Sequence, residues 1–386
     1  MRRSHPVAFP VLVLSLLVLP ACTGDVIPIT PPQASAHANG QNAGSDFDDT
    51  DDIDSRQVAF SFVVLGCNRV DKADVNMATN PSTANVEQLR RTFSEIAQLS
   101  PRPKFVFFAG DMVYGYSPDT VTLAVQLQSW LGLWDTSPLA TARGLTLVPI
   151  PGNHEVQNDK KIAFAAAERT WLRNMGPRLA FAGNGPLAHG ADNLATNQDS
   201  LTYSFDYLGT HFVLLDTDPV GKDWSVPLNW VMADVANAHA RGAQHIFAVG
   251  HKPAHAYPIA LYNPPMAKPD GLGRVYPAER DALWASLNGA HAEAMLSAHD
   301  HLYWRTQGPS GRGTWQIVAG NGGSLFDPLV NQAPLDYFGF TVVKVLKNGR
   351  VALTSYGRNT PAAGYLASSA GYPTTVRDRA DITFTP

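Results

Sequence analysis

"KFVFFAGDMVY", residues 104–114, decides how the rest of the chain is read. Phe105 to Ala109 form an uninterrupted apolar run of strand length. A run without polar alternation suits a strand covered on both faces. It stops at Gly110 and delivers Asp111, a residue able to bind metal. Four further runs repeat the arrangement: "FSFVVLG" leads to Cys67, "LTLVPIPG" to Asn153, "HIFAVG" to His251 and "EAMLSA" to His299. In open α/β sheets, ligands gather beyond the carboxyl ends of strands. Five such ends presenting Cys, Asp, Asn, His and His point to one shared site.

Helical patterns separate the runs. Val86, Leu89, Phe93 and Ile96 fall on one face, and "PLNWVMADVANAHARG", residues 227–242, ends at a glycine stop. Strands alternating with helices predict an α/β layered fold. "LTYSFDYLGTHFVLLDTD" reads as a hairpin turning near Leu208, Gly209 and Thr210. "FGFTVVKVLKNGRVALTSYG" reads as another, through its Asn-Gly turn. There is no internal repeat.

The 386 residues, 45% of them hydrophobic, suffice for one large domain or two smaller ones. The N-terminus stands apart. Arg2 and Arg3 precede an apolar run from Val7 to Ala21, broken by Pro10 and Pro20. The run is shorter than the roughly 20 apolar residues of a membrane span, and its flanks are those of a signal peptide, residues 1–21. It ends in "LPAC", which resembles the lipobox of bacterial lipoproteins and implies lipidation of Cys22. A plain secretory signal or an uncleaved anchor is the alternative. Thr23, in place of an aspartate, points to an exported lipoprotein at the periplasmic face of the outer membrane or the cell surface. Residues 22–56 hold Pro, Gly, Ser, Asn and a cluster of six Asp, with almost nothing to bury, and are expected to form a disordered acidic tether. The cluster lacks the glycine of a calcium loop. Residues 57–386 are expected to form the folded domain. Of 29 basic and 33 acidic residues, three and seven precede residue 57, so the domain carries 26 of each sign. It has no basic stripe of the kind nucleic-acid binders use, and any affinity for an anionic substrate must be local.

In chain order the motifs are "GDMVY" (110–114), "GNHE" (152–155), "GH" (250–251) and "AHDH" (298–301). Together they resemble the calcineurin-like metallophosphoesterases and, within them, the purple acid phosphatases, over about residues 58–325. The resemblance implies a four-layer α/β/β/α sandwich of two mixed sheets flanked by helices. It implies hydrolysis of a phosphate ester at a binuclear metal centre. The chemistry needs a nucleophile, neutralisation of charge on phosphoryl oxygens and a proton for the leaving group. Two metals about 3.5–4 Å apart supply the first two. By resemblance Asp111 bridges the metals, Asn153, His251 and His299 complete a divalent site, and Tyr114 and His301 belong to an Fe(III) site. A metal-bound hydroxide is the implied nucleophile and His154 the general acid. Glu155 either supports His154 or caps backbone.

The first family motif departs from its usual form. Cys67 and Arg69 stand where the family has Asp and then Gly or His. "GCNR" with "AGDMVY" resembles the PhoD-type alkaline phosphatases, whose cysteine binds Fe(III), and a metal deprotonates a coordinating thiol outright. The resemblance thus implies Fe(III) beside Zn, Mn, Fe or Ca. Cys67 also reads as a small buried apolar residue, which would leave the first site degraded, or as a disulfide partner of Cys22. Asn68 and Arg69 are candidate substrate contacts, Arg through fork-like bonds to phosphate, with a structural ion pair as the alternative. His255 in "GHKPAHAY" is a further substrate candidate, and Lys252 a weaker one. His189, His211, His239, His245 and His291 match no motif and read as surface or core. Tyr303 and Trp304 read equally as cleft lining or packing. A phosphomonoesterase is the leading reading. A phosphodiesterase or phospholipase-like enzyme on the same fold, or an inactive phosphate-binding relative, are the alternatives. Residues 157–200 and 252–290 carry no specificity signature and are expected to shape the mouth of the cleft.

Overall fold

A computed structural model describes residues 47, 53–258, 268, 270–307, 311–326 and 336–386. The signal peptide, Cys22 and all but a few residues of the tether lie outside the described residues. Among the described residues no helix is long and apolar enough to cross a membrane.

The apolar runs become strands. β1 (Val58–Leu65), β2 (Phe105–Ala109) and β3 (Thr146–Ile150) pair in parallel. β4 (Tyr203–Tyr207) and β5 (Thr210–Leu215) form the first expected hairpin, turning through Leu208 and Gly209, both at positive φ. β6 (His245–Gly250), β7 (Ala294–Ser297), β8 (Tyr303–Gln307) and β9 (Trp315–Ala319) follow. β10 (Tyr337–Leu346) and β11 (Val351–Asn359) form the Asn-Gly hairpin, with Gly349 at φ 82°, and β12 (Thr375–Asp381) closes the edge. Two six-stranded mixed sheets result, ordered β12-β11-β10-β1-β2-β3 and β4-β5-β6-β7-β9-β8.

Helices cover both outer faces. α1 (Val86–Ile96) and α5 (Leu228–Ala238) occupy the stretches where sequence periodicity places them, and Gly242 at φ 100° stops the turn after α5. α2 (Thr120–Asp135), α3 (Asn153–Val156), α4 (Ala165–Met175) and α6 (Pro277–Gly289) complete the set. α2 shows no clean stripe in sequence because apolar residues surround it, and α4 and α6 fall in the two unassigned stretches. One core packs α1, α2 and α4 against the first sheet, and another packs α5 and α6 against the second. A third core lies between the sheets. Three cores between four layers are the α/β/β/α sandwich.

The central core is aromatic. Phe62 is fully buried and meets Phe107, Phe212 and Phe247 edge-on at 5.2–5.4 Å between ring centres, so one side chain joins the two sheets. The tether expectation meets one exception. Phe47 is buried, packs on Phe340 and Tyr356, and bridges to Thr374. A single aromatic in a polar stretch is too sparse a signal to predict docking, yet it secures the chain ahead of β1. Removing the hinge of the central core should show directly: Phe62→Ala is expected to cost about 3–5 kcal/mol, read from urea unfolding.

Candidate metal centre

All five ligand-type residues singled out at strand ends lie at carboxyl ends, three on the first sheet and two on the second. The ends are tied together by backbone. Cys67 N–H donates to Gly110 O at 3.0 Å, Asn68 and Arg69 N–H donate to Asp111 O, and Ala298 N–H donates to His251 O. Cys67, Asp111 and His299 sit at φ 55°, 55° and 69°. Left-handed backbone at non-glycine residues is costly and clusters at functional sites. Here it turns three side chains off the strand direction toward one point. Gly110 (φ 78°) has no such choice, since a Cβ there would lie 2.6 Å from both Gly152 Cα and His251 Nδ1.

The side chains form two groups sharing Asp111. Cys67, Asp111 and His301 offer ligand atoms within 4.8 Å of one another, as do Asp111, His251 and His299. His251 Nδ1 lies 2.7 Å from Ala109 O, so it carries the proton and leaves Nε2 as a lone pair. That Nε2 is 3.2 Å from Asp111 Oδ1, 2.9 Å from Asn153 Oδ1 and 3.1 Å from His299 Nδ1. Four electron-rich atoms thus face one another in a buried space, an arrangement that repels itself unless a cation lies among them. His301 Nδ1 is similarly committed to Leu325 O at 2.6 Å. The donor set fits two metal ions, with Asp111 common to both groups. Cys67 packs against Ala109 and Ala298, as a filler would. Its Sγ also accepts the His299 amide at 3.1 Å and stands in the first donor group, which filler does not explain.

Asp111 is heavily supported. Glu155 accepts the amides of Asp111 (2.9 Å), Gly152 (2.8 Å) and Val113 (3.1 Å), so it caps backbone and does not pair with His154. Burial and the neighbouring Asp111 push the Glu155 carboxyl up to about 7. Burial also opposes the charge on Asp111, but His154, His251 and Arg69 around it hold the carboxyl well below its usual range.

A cavity of about 520 Å³ opens over the centre, lined among others by Arg69, Tyr114, Tyr116, His154, His299 and His301. His154 Nδ1 hydrogen-bonds Tyr114 O, and its Nε2 faces Asp111 Oδ2 at 3.8 Å. Burial and Arg69 drive the His154 ring toward its neutral form, against Asp111. Arg69 Nε stands 3.5 Å from Asp111 Oδ2, and the guanidinium lines the cavity. Burial raises the Tyr114 phenol, with Arg69 opposing, so its phenolate form requires a strongly charged cation beside it.

Two expected substrate contacts are not brought to the cavity. Asn68 is fully buried, and its amide donates to Gly322 O (2.9 Å) and Asn85 O (3.3 Å), so it ties loops together. His255 sets its ring edge-on to Trp284, 4.6 Å between centres. Lys252 is also turned away, buried on Asp218 and over the Trp224 ring. The unassigned histidines are accounted for elsewhere. His211 sits between Asp206 and Asp234, His245 on Glu293, His239 between two carbonyls, His291 on Phe384, and His189 is exposed. Tyr303 bonds Asp378 and Trp304 packs on Tyr257, so both are packing. Sequence reasoning missed Tyr116, whose hydroxyl accepts from Asn153 Nδ2 and orients that side chain. Its place two residues beyond "GDMVY" was the only signal.

The calcineurin-like phosphoesterase family profile matches residues 62–303, well over half of the chain. The chain belongs to the calcineurin-like phosphoesterase family. Among solved structures it is similar to a purple acid phosphatase from yellow lupin (Lupinus luteus) seeds, with 15% identity, TM-score 0.53, and coverage of 83% of this chain and 53% of that one. It is also similar to PhoD (14% identity, TM-score 0.54, 85% and 72% covered). A dimetal phosphatase from Danio rerio matches at 13% identity and TM-score 0.50, covering 85% of this chain and all of that one. The chain spans about half the length of the lupin enzyme. At these identities the likeness is one of fold. No curated protein matches in sequence. The family implies two metal ions and phosphate-ester substrates.

Two outcomes follow from the local chemistry. Glu155→Gln places an amide NH2 against backbone donors and should destabilise the fold by about 1–3 kcal/mol, measured by urea unfolding. Burial, then Arg280, lowers His255 from 6.5 to about 4. The unfolded chain therefore takes up this proton first. Its contribution to stability is whole above about pH 6.5 and falls as pH drops toward 4, lost at and below that pH. An imidazole NMR titration midpoint for His255 near pH 4 checks it.

Proposed function

We propose that this phosphoesterase is a phosphomonoesterase with an Fe(III)–divalent centre. Cys67, Asp111, Tyr114 and His301 would hold the iron, and Asp111, Asn153, His251 and His299 the divalent ion (Zn, Mn, Fe or Ca). The observation that carries this reading is the placement of Cys67 Sγ with Asp111 and His301 in one donor group beside a second group in which the same Asp111 is joined by two imidazoles, His251 and His299. A thiolate and a phenolate add negative charge on the first side only, which suits a trivalent ion there. When bound, the ions would activate water and neutralise charge on the phosphoryl group.

The chain's own residues do the rest. Arg69 faces the cavity 3.5 Å from Asp111 and offers its guanidinium to phosphoryl oxygens. His154 Nδ1 is held on the Tyr114 carbonyl, so the Nε2 side of its ring serves proton transfer to the leaving oxygen. A phosphate anion in the cavity counteracts the effect of Arg69 on that ring and favours its protonated form. The Tyr116 ring packs 3.8 Å from the His154 ring centre to centre and restricts its movement. A cavity of about 520 Å³ accommodates a phosphate together with its leaving group. We further propose export as a lipoprotein through Cys22, on the sequence alone.

The test is turnover of an aryl phosphate by the full chain loaded with iron and zinc. His154→Ala should lower kcat by about 10²–10⁴-fold, with metal content unchanged. Full turnover in that variant would remove His154 as the acid. Cys67→Ser should shift or abolish a visible charge-transfer band and lower iron content. Turnover of a bis-aryl phosphate exceeding that of the monoester would replace the monoesterase reading with a diesterase.

A further inference from the structure

Three of the four site histidines are oriented by backbone. His251 Nδ1 is held by Ala109 O, His301 Nδ1 by Leu325 O and His154 Nδ1 by Tyr114 O. His299 is inverted. Its Nδ1 points inward, 3.1 Å from His251 Nε2, and its Nε2 points outward. That outward atom is buried with no hydrogen-bond partner. If Nδ1 is to offer a lone pair, Nε2 must carry the proton, and a buried N–H needs an acceptor. The acceptor at hand is Asp270, whose Oδ1 lies 3.6 Å away, just beyond bonding distance.

Asp270 is itself held. Arg274, four residues on, bonds its Oδ1 at 3.1 Å and lies over the Trp224 ring, 4.9 Å from its centre. Trp224 in turn meets the His299 ring edge-on at 5.5 Å, backed on Lys252. His299, Asp270, Arg274 and Trp224 thus make a closed circuit of contacts around one imidazole. Carboxylates that accept the distal N–H of a ligating histidine fix its tautomer and raise its basicity.

We propose that Asp270 is the positioning residue of His299: its carboxylate accepts a hydrogen bond from the Nε2–H and keeps Nδ1 turned to the divalent ion. Asp270, which lies in no family motif, thereby sets the affinity of the second metal. This rests on the two-metal reading above.

The experiment is titration of the metal-free full chain with Zn(II) in competition with a chromophoric chelator, counting sites and affinities. The wild type should bind two ions. Asp270→Ala should weaken one of them by about 10–100-fold and leave the other unchanged. Asp270→Asn, which keeps an acceptor oxygen, should recover part of the loss. Asp281→Ala, removing an exposed acid on α6, should change neither site. Asp270 is about one-third exposed, so the variants should melt as the wild type does; if Asp270→Ala does not fold, Asp270→Asn is read alone against the same expectation. Two sites of unaltered affinity in the variant would overturn the role of Asp270 and leave the two-metal reading standing. Fewer than two sites in the wild type would overturn both.

Discussion

The carboxylate of Asp111 is buried at the seam where the ends of two sheets meet, and the surrounding structure is arranged to keep it charged there. Its amide is taken by Glu155, its carbonyl by the amides of Asn68 and Arg69, and its Oδ1 faces the amide of His154 and the ring of His251. An isolated carboxylate in such a place would protonate. The amide donors and the Arg69 guanidinium around it favour the charged form, and the site's other ligands can be arranged about it.

That arrangement draws on the layered fold. Parallel strands in both sheets send their carboxyl ends the same way, and the aromatic core around Phe62 joins the two sheets. Cys67, Asp111 and His299, each directly after a glycine or alanine, bend into left-handed backbone, whereas Asn153 and His251 follow their glycines without such a bend. The bend is unfavourable locally and persists because Glu155, the Gly110–Gly152 approach and the inter-sheet hydrogen bonds leave the chain no alternative. Rigidity at the strand ends contrasts with the outer wall, where Asp270, Arg274 and Trp224 rely on side-chain contacts.

Much of this was legible in the chain. The apolar runs ending at Cys67, Asp111, Asn153, His251 and His299 became strands or strand ends, and both hairpins turn where the glycines stand. What was not legible followed physical rules of its own. Asn68 adjoins a ligand but faces a loop, because the bend at Cys67 reverses the direction of the next side chain. His255 follows His251 by one turn's length and yet rests on Trp284, since the intervening chain is not helical. Glu155 read first as a support for His154 and second as a backbone cap, and the three amides that it accepts from decided for capping. Phe47 was a lone aromatic in polar surroundings, and its pocket is built from β10 and β11, nearly 300 residues away.

The sequence by itself determined the layered α/β class, the order of the strands along the chain, the hairpins and the residue types of a binuclear phosphoesterase centre. The class, strand order and hairpins depend on local periodicity and turn chemistry, and the centre on motifs that resemble a known family, all of them carried by short runs of neighbouring residues. Only the tertiary structure decided which nitrogen of each histidine faces inward, which candidates reach the cavity, and that Tyr116, Asp270 and Trp224 belong to the site. Those depend on distances between atoms far apart in the chain, set by sheet packing and backbone strain, and no local pattern encodes them.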